Sequence, residues 1–471
     1  MSLTIGVINA SLPSYFPQEH GVFDAASAML DAIAEREGYT VIQAEGIPMD
    51  ATEARAAVSS LTAAGADFVL VLHGGFTMGD VVREIATAAL PLGIWATPEP
   101  TLTDDIQLNN FVSLNMSMSI ARGVRDLQAN PVQWYLGAPT DQQLVARLEQ
   151  TFSALRARKA LKDARIGVVG GLAPTFYNME VSSDTLIRKL GVTVDHIDMH
   201  TMINLMAAQD KDDVATELRD MTATAKVRGV SDAQMDLTVR AVLALRQIAH
   251  QGDYDALAVS DWPALQENPG MHPGAAFSWL EERDNLPVAS EGDVLGAVTQ
   301  LVVKALSGRV GCLLDMTSPD LQRDQILMWH GGGGPLYMAK DAVDWINHPM
   351  IGRGTEAGPI YGAIADYEFA NGPVTVLRIS RHGTAQFSVE GQISPGPAIG
   401  FVGCRGWVGK FETTAGPCSA ADIVTTVMEQ GLEHHFVLVP GAFRSTFEEF
   451  GRWCAMTSLD VVPAHAGLPA I

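Results

Sequence analysis

Residues 288–316 read VASEGDVLGAVTQLVVKALSGRVGCLLDM and decide the fold class of this 471-residue chain. The segment begins as an apolar strand pattern, passes through Glu291 and Asp293 into a helical pattern, and ends in a second apolar strand with Asp315. Such a strand–helix–strand unit is typical of a parallel sheet with right-handed crossovers. Open sheets of this kind present their functional groups beyond the carboxyl ends of the strands. We therefore expect Glu291 and Asp315 to lie at one edge of a sheet.

Strand and helix patterns also alternate nearer the N-terminus. The runs LTIGVIN, YTVIQAE, DFVLVLHGG and LGIWATPEP have the character of strands, and helical patterns separate them. This alternation predicts a Rossmann-like domain over residues 1–160. The ends of its strands carry His73, Trp95 and Glu99.

A second alternating region follows the basic stretch ALRARKALKDA. The strand patterns ARIGVVGG, VTVDHID and YDALAVSDW accompany a long helical region from Met202 to His250. With residues 288–316, they predict a second Rossmann-like domain over residues 161–320.

The pattern changes again in the last third of the chain. Short apolar runs, among them GPVTVLRIS, TAQFSVEG, AIGFVG and HHFVLVPG, are separated by Gly and Pro clusters. They predict a β-rich, barrel-like domain over residues 321–471. The predicted fold class is therefore α/β, with two Rossmann-like doubly wound domains followed by this β-rich domain.

Charge and composition exclude several classes of protein. The 54 acidic and 31 basic residues give a net charge of −23, a field that repels nucleic acid. No basic amphipathic stretch and no apolar stretch of about 20 residues is present, so we expect no membrane association. The four cysteines form no C-x-x-C pair, and the start MSLTIGVINA lacks the basic region of a signal peptide. We therefore expect a cytoplasmic protein.

Glu291 and Asp315 are the strongest candidates for chemistry. They are 24 residues apart, the length of one strand–helix–strand unit, so both carboxylates are expected at the same sheet edge. Two converging carboxylates repel each other, and a divalent cation relieves that repulsion. Asp293 has an alternative role, because either Ser290 or Asp293 could cap the helix that begins near Val294.

The last apolar run begins with His434 and His435. Neighbouring side chains in a strand point to opposite faces, so only one of the two imidazoles is expected to enter a given pocket. Two carboxylates and one imidazole suit Mn²⁺, with Mg²⁺ or Co²⁺ as alternatives. A buried hydrogen-bonding pair is the other interpretation of these histidines.

Residues 286–315 resemble the corresponding stretch of the L-fucose isomerase and L-arabinose isomerase superfamily. The resembling features are a strand leading into EGD, a helix that begins LGA, the sequence KALSGR and a strand that ends in Asp315. The resemblance is closer to L-fucose isomerase, although this chain is shorter than typical members. The metal ligands of L-fucose isomerase are a Glu, an Asp and a distant C-terminal His. By the resemblance, they correspond in this chain to Glu291, Asp315 and His434. The resemblance also implies that Glu291 and Asp315 are the catalytic acid/base pair.

Other segments share the resemblance and imply substrate contacts. GIWATPEP resembles the segment whose Trp packs against sugar from a neighbouring subunit, which implies a role for Trp95. The strand end SDW implies Asp261 and Trp262. His435 is a further candidate for a substrate contact, and it is also the alternative to His434 as the third metal ligand. Since the family builds its pocket between subunits, a homo-oligomer is implied, either a trimer or a hexamer.

The implied activity is metal-dependent aldose–ketose isomerisation of a small free sugar. Exchange through an enediol moves one proton between C1 and C2 and another between O1 and O2. A metal that chelates both oxygens stabilises the developing enediolate, and a nearby carboxylate serves as base. Two alternatives stay open: a metal-dependent epimerase or carbon–carbon cleaving enzyme acting on a modified sugar or sugar acid, and a sugar-binding protein without turnover.

Three short motifs resemble those of other protein classes. WHGGGGP resembles the oxyanion loop of lipases, but no G-x-S-x-G is present, so we expect a pocket-lining loop with His330 as a substrate contact. SRHGT resembles the histidine phosphatase motif, but its β-rich context favours a hairpin turn. GVVGGLAPTF lacks the full G-x-G-x-x-G pattern, which disfavours a nucleotide cofactor.

Overall fold

The computed structural model describes residues 2–126, 131–348 and 362–464. By its contacts the chain divides into two units. The N-terminal unit comprises Met1–Lys159 and Glu449–Ala455, and the C-terminal unit comprises Ala160–Glu448 and Met456–Ile471. The division into domains 1–160, 161–320 and 321–471 stays a prediction, as does the Rossmann-like assignment of the first two.

The N-terminal unit contains a five-stranded parallel sheet in the order β2-β1-β3-β4-β5. Its strands are β1 (Thr4–Ala10), β2 (Thr40–Gln43), β3 (Phe68–His73), β4 (Leu92–Ala96) and β5 (Val132–Leu136). Its helices are α1 (Val22–Glu37), α2 (Ala51–Ala63), α3 (Gly79–Ala86), α4 (Asn110–Arg125) and α5 (Gln142–Leu161). Every residue of β3 and β4 is buried, which explains why these central strands are almost continuously apolar.

A second parallel sheet opens the C-terminal unit, in the order β10-β9-β6-β7. Its strands are β6 (Arg165–Val169), β7 (Thr193–Ile197), β9 (Ala256–Val259) and β10 (Val288–Ala289). The helices of this unit are α6 (Ser183–Leu190), α7 (Met199–Ala208), α8 (Lys211–Thr224), α9 (Asp232–Gly252), α10 (Ala264–Glu267), α11 (Gly274–Arg283), α12 (Val294–Ser307) and α13 (Ala420–Gln430). One more helix, α14 (Arg444–Trp453), follows.

The prediction of one long helical region from Met202 to His250 is wrong. The region contains three helices, α7 to α9, and a short strand, β8 (Lys226–Arg228). Two capping residues explain the breaks. Asp210 accepts hydrogen bonds from two backbone amides at the start of α8, and Ser231 accepts one at the start of α9.

The rest of the C-terminal unit is a mainly antiparallel sheet of eleven strands. Besides β8, its strands are β11 (Cys312–Asp320), β12 (Gln325–His330), β13 (Asp344–Asn347), β14 (Ala363–Glu368), β15 (Gly372–Ser380), β16 (Ala385–Ile393), β17 (Cys404–Thr413), β18 (Gly416–Cys418), β19 (His435–Pro440) and β20 (Thr457–Ser458). Six of them form a closed ring in the order β16-β15-β19-β11-β12-β17, because β17 pairs with both β12 and β16. The predicted β-rich C-terminal region is thus present.

Two local predictions have opposite outcomes. SRHGT forms the turn of the β15–β16 hairpin, as predicted. AIGFVG was expected to be a strand, but residues 398–403 are irregular and β17 begins only at Cys404. The side chain of Phe401 is 41% exposed, so the apolar run lacks the burial that stabilises a strand. Among the described residues, no helix is long and apolar enough to cross a membrane.

Candidate active site

Glu291 lies in a tight turn between β10 and α12, where its backbone has φ +59° and ψ 14°. This left-handed conformation is unfavourable for a residue with a Cβ atom, so neighbouring groups must hold it. The amide of Glu291 donates a 2.6 Å hydrogen bond to Oδ1 of Asp261. Its carbonyl oxygen accepts a 2.9 Å hydrogen bond from the amide of Ala173. Both backbone groups of Glu291 are therefore fixed by other segments of the C-terminal unit.

Asp293 caps helix α12, which was one of its two expected roles. Its Oδ1 accepts a 2.8 Å hydrogen bond from the amide of Gly296. The same carboxylate accepts hydrogen bonds of 2.6 and 3.1 Å from the guanidinium of Arg378. Burial alone would raise the pKa of Asp293, but Arg378 and the hydrogen bond to His435 hold it well below its usual value.

His434 and His435 both approach Glu291, so the expectation that only one imidazole would enter the pocket is wrong. His434 precedes β19, and the alternation of side chains along a strand does not apply to it. Nε2 of His434 lies 3.1 Å from Oε2 of Glu291, and Nε2 of His435 lies 3.5 Å from the same oxygen. These three residues offer donor atoms that all lie within 4.8 Å of one another, the spacing of a metal-binding group. Burial lowers the pKa of His435, but the contact with Asp293 outweighs it and raises the pKa overall.

Asp315 approaches His435 from β11. This strand belongs to the eleven-stranded sheet and continues to Asp320, whereas β10 belongs to the four-stranded parallel sheet. The prediction that Glu291 and Asp315 end two strands at one sheet edge is therefore wrong. The register pairs Asp315 directly with His435, and its Oδ1 lies 3.9 Å from Nε2 of His435. That oxygen is buried and has no hydrogen-bond partner among the described residues. Burial also raises the pKa of Asp315. A buried carboxylate oxygen without a donor is the arrangement expected where a cation supplies the missing charge.

The donor set therefore fits a divalent cation. Glu291, Asp315, His434 and His435 offer carboxylate oxygens and imidazole nitrogens, the donors that suit Mn²⁺, Mg²⁺ or Co²⁺ better than soft metals. Among the described residues, the cluster of Glu291 and the two histidines is the only group that meets the metal-binding spacing. Whether these residues hold a metal stays a prediction.

Polar groups that were expected to contact substrate surround the cluster. Asp261 is 4% exposed, and burial raises its pKa to about 7. His330 is also buried, and its Nε2 lies 3.0 Å from the hydroxyl of Ser290. Burial lowers the pKa of His330 to about 3, so this imidazole is neutral at physiological pH. The structure thus brings Asp261 and His330 to the turn that carries Glu291.

An aromatic group lies beside His434. The Phe176 ring is 5.3 Å from the His434 ring and 6.4 Å from the Trp262 ring, between centroids. Trp262 is 39% exposed, so part of its indole is open to a ligand. An exposed aromatic surface next to polar groups is characteristic of a small-molecule site. The remaining predicted contact, Trp95, lies in β4 of the N-terminal unit, is fully buried, and donates a 2.9 Å hydrogen bond to the carbonyl of Gly137.

Arg378 and Asn178 are two residues of the site that the sequence analysis did not identify. Arg378 is the one charged residue in the apolar strand GPVTVLRIS, and an unpaired arginine is rarely buried. That exception was the available signal for a buried ion pair. Asn178 lies in the loop after β6, and its amide nitrogen is 3.1 Å from Nδ1 of His434. No pattern in the sequence marks this contact.

Comparison with known proteins places the chain near one class of isomerase. It is 24% identical over 419 residues to a sulfoquinovose isomerase of Priestia megaterium, and the match covers 88% of this chain and 90% of the relative. A sulfoquinovose isomerase of Alkalicoccus urumqiensis is 23% identical over 381 residues, which cover 80% of this chain and 81% of the relative. No family model matches the chain. These relatives indicate that the chain is an isomerase, consistent with the resemblance to the L-fucose and L-arabinose isomerase superfamily.

Similarity to solved structures adds nothing to this comparison. An ABC domain in complex with L-Trp from Streptococcus pneumonia shares 16% identity, with 57% of this chain and 77% of that chain covered, and a TM-score of 0.15. A solute-binding protein from Agrobacterium vitis bound with α-D-tagatopyranose shares 13% identity, with 66% and 90% covered, and a TM-score of 0.18. Scores this low carry no argument about fold or ligand.

Proposed function

We propose that this protein is a metal-dependent aldose–ketose isomerase that acts on a sugar through an enediol intermediate. The relatives support a sugar isomerase, and the metal dependence and the mechanism are our inference. The observation that carries the proposal is the convergence of Glu291, Asp315 and an imidazole, with one buried Asp315 oxygen lacking a donor among the described residues.

Glu291, Asp315 and one of the two adjacent histidines would hold the cation. When bound, a divalent metal supplies a Lewis acid that polarises the sugar carbonyl and stabilises negative charge on the substrate oxygens. Mn²⁺ is the proposed ion, with Mg²⁺ or Co²⁺ as alternatives, because the donors are oxygen and imidazole nitrogen.

The two carboxylates would also move the proton between C1 and C2. Glu291 and Asp315 approach Nε2 of His435 from two different segments, at 3.5 and 3.9 Å. These distances support the proposal that both act on the same bound substrate, one as base and the other as acid. The two backbone hydrogen bonds of Glu291 would keep its carboxylate in place during the proton transfer.

Three substrate-binding roles accompany this assignment. Trp262 would provide an apolar surface for the sugar ring, and Asp261 and His330 would contribute polar contacts from the buried side of the site. Trp95 is fully buried within the N-terminal unit, so the substrate contact that the resemblance implies for it is not part of this proposal. The homo-oligomer, trimer or hexamer, stays part of the proposal, and light scattering on purified protein would measure it.

The relatives direct the choice of sugar. Because they are named for sulfoquinovose, we propose this sulfonated hexose, or a closely related sugar, as the substrate of this chain. A panel of sulfoquinovose, glucose, L-fucose and L-arabinose, incubated with the protein and Mn²⁺, would test the proposal by formation of the ketose. Ketose formation from at least one of them is expected, and sulfoquinovose is the first candidate.

Metal dependence needs a separate measurement. Elemental analysis should find roughly one Mn²⁺-class ion per chain, and chelation should abolish ketose formation until metal is restored. Glu291→Gln should lose both metal and activity. Glu412→Gln, the same change at an exposed position of β17, should lose neither. Tight sugar binding without any ketose would instead favour a binding protein, and a different product would favour epimerisation or carbon–carbon cleavage.

A further inference from the structure

We infer that His435, oriented by Asp293 and Arg378, is the imidazole ligand of the proposed metal site, whereas His434 faces the substrate. This inference rests on the proposed function. It reverses the roles that the resemblance implied for these two residues.

The hydrogen bond at Nδ1 determines what Nε2 of His435 can do. Nδ1 lies 3.1 Å from Oδ2 of Asp293, a buried carboxylate that can only accept, so Nδ1 carries the proton. In the neutral ring Nε2 then has a free lone pair, and it is directed at Glu291 and Asp315. In metalloproteins, a histidine that binds the metal through one ring nitrogen commonly donates the N–H of its other ring nitrogen to a carboxylate.

Asp293 is itself held rigidly, which makes it suitable for orienting a ligand. Two hydrogen bonds from Arg378 and one from the amide of Gly296 fix its carboxylate. The side chains of Asp293 and Arg378 are fully buried, and Nε of Arg378 lies 3.5 Å from Glu433. This ion-pair network fixes Asp293, whose Oδ2 lies 3.1 Å from Nδ1 of His435 and so orients the ring, as a preorganised metal ligand requires.

His434 differs from its neighbour in each of these respects. The amide nitrogen of Asn178 lies 3.1 Å from its Nδ1 and donates to it, so the proton of the neutral ring is on Nε2. Nε2 then donates to Glu291 and has no lone pair for a cation. The side chain is 36% exposed, against 1% for His435, and it lies beside the partly open aromatic group of Phe176. These features place His434 on the substrate side.

Mn²⁺ titration of the purified protein tests this division, with the histidines compared as a matched pair. His435→Gln should weaken Mn²⁺ binding by at least about 100-fold, because a residue that binds the metal directly is lost. His434→Gln should change Mn²⁺ affinity by less than about threefold and should still lower kcat/KM for the sugar. Asp293→Asn should weaken Mn²⁺ binding by about 10–100-fold, the usual range for a group that orients a ligand. Circular dichroism would verify that each variant is folded.

The outcomes separate this inference from the proposed function. If the unmodified protein binds no Mn²⁺ and forms no ketose, the proposed function fails. If it does both but His434→Gln loses the metal as strongly as His435→Gln, the inference alone is overturned. Unchanged Mn²⁺ affinity in Asp293→Asn would overturn the orienting role. Should that variant not fold, the two histidine variants still decide the assignment.

Discussion

The amide of Glu291 donates a 2.6 Å hydrogen bond to the buried carboxylate of Asp261, thirty residues earlier in the chain. The bond holds Glu291 in a left-handed conformation, with φ +59°. Backbone strain of this kind is found where the surrounding structure fixes a residue for function. The relationship assigns Asp261 a positioning role in addition to its proposed contact with substrate.

Removing the acceptor at position 261 should release this turn. We expect Asp261→Ala to lower the free energy of unfolding by about 1–3 kcal/mol, because a buried amide loses its partner. The variant should also lower kcat, since the Glu291 carboxylate is no longer held in place. Asp261→Asn keeps an acceptor oxygen and is the control. Urea unfolding and ketose formation would measure both effects, and wild-type behaviour of the alanine variant would contradict the role.

Gly292 is required by the same turn for a steric reason. It has φ +72°, and a Cβ atom there would lie 2.2 Å from the carbonyl oxygen of Gly171. Gly308, which follows helix α12, also has a positive φ but no atom within 4 Å of a Cβ. Gly308→Ala should therefore cost only about 1 kcal/mol, the strain of the conformation itself. Gly292→Ala should cost clearly more, as thermal unfolding would show; equal costs would rule out the steric explanation.

Trp262 should contribute to binding more than to chemistry. Its indole is 39% exposed beside Phe176, which in turn contacts His434. We expect Trp262→Ala to raise KM for the sugar roughly tenfold, equivalent to about 1.4 kcal/mol, with a smaller change in kcat. Trp262→Phe keeps an aromatic surface, so its KM should lie between those of the wild-type protein and the alanine variant. Steady-state kinetics would decide, and an unchanged KM in the alanine variant would exclude this contact.

Glu281 gives the fold a dependence on pH. It is buried, one oxygen accepts a 2.6 Å hydrogen bond from Gln300, and burial raises its pKa to about 8. The folded protein thus binds this proton more tightly than the unfolded chain does. The contribution of Glu281 to stability is therefore fully present below the usual carboxyl pKa of 4.5 and is lost as the pH rises through about 8.

Glu281→Gln should remove this dependence. Glutamine keeps an acceptor for Gln300 and never ionises, so it should raise the free energy of unfolding at pH 9 by an amount on the order of a few kcal/mol. At pH 5 the difference should be small. Denaturant unfolding at both values would measure it, and an equal effect at the two pH values would show that ionisation of Glu281 is not the cause.

The parallel strands and the turn at Glu291 were predictable because their signals are local. Buried strands such as β3 are continuous apolar runs, and Asp293 stands where a helix requires a capping residue. The long helical region was predicted wrongly, since helical periodicity continues across the caps at Asp210 and Ser231. The local sequence pattern therefore identified the presence of helices and strands more reliably than the residues at which they end.

The internal order of the site was beyond prediction from sequence. The partner of Nδ1 of His435 is Asp293, which is 142 residues away in the chain. The pairing of β19 with β11 brings His435 opposite Asp315, which is also distant in the sequence. Arg378 adds a third distant segment. No spacing along the chain records these pairings. The unit from which Glu291 and Asp315 were predicted was itself assigned wrongly, because β10 and β11 belong to different sheets.

The position of β19 has a consequence for how the protein is synthesised. This strand follows both of its partners in the sequence, yet in the ring it lies between them, paired with β11 on one side and β15 on the other. While the ribosome is still translating residues before His435, those two strands have unpaired edges that favour aggregation. We therefore expect chains that terminate before β19 to precipitate and to be degraded, so that only translation products that include this strand accumulate in the cell.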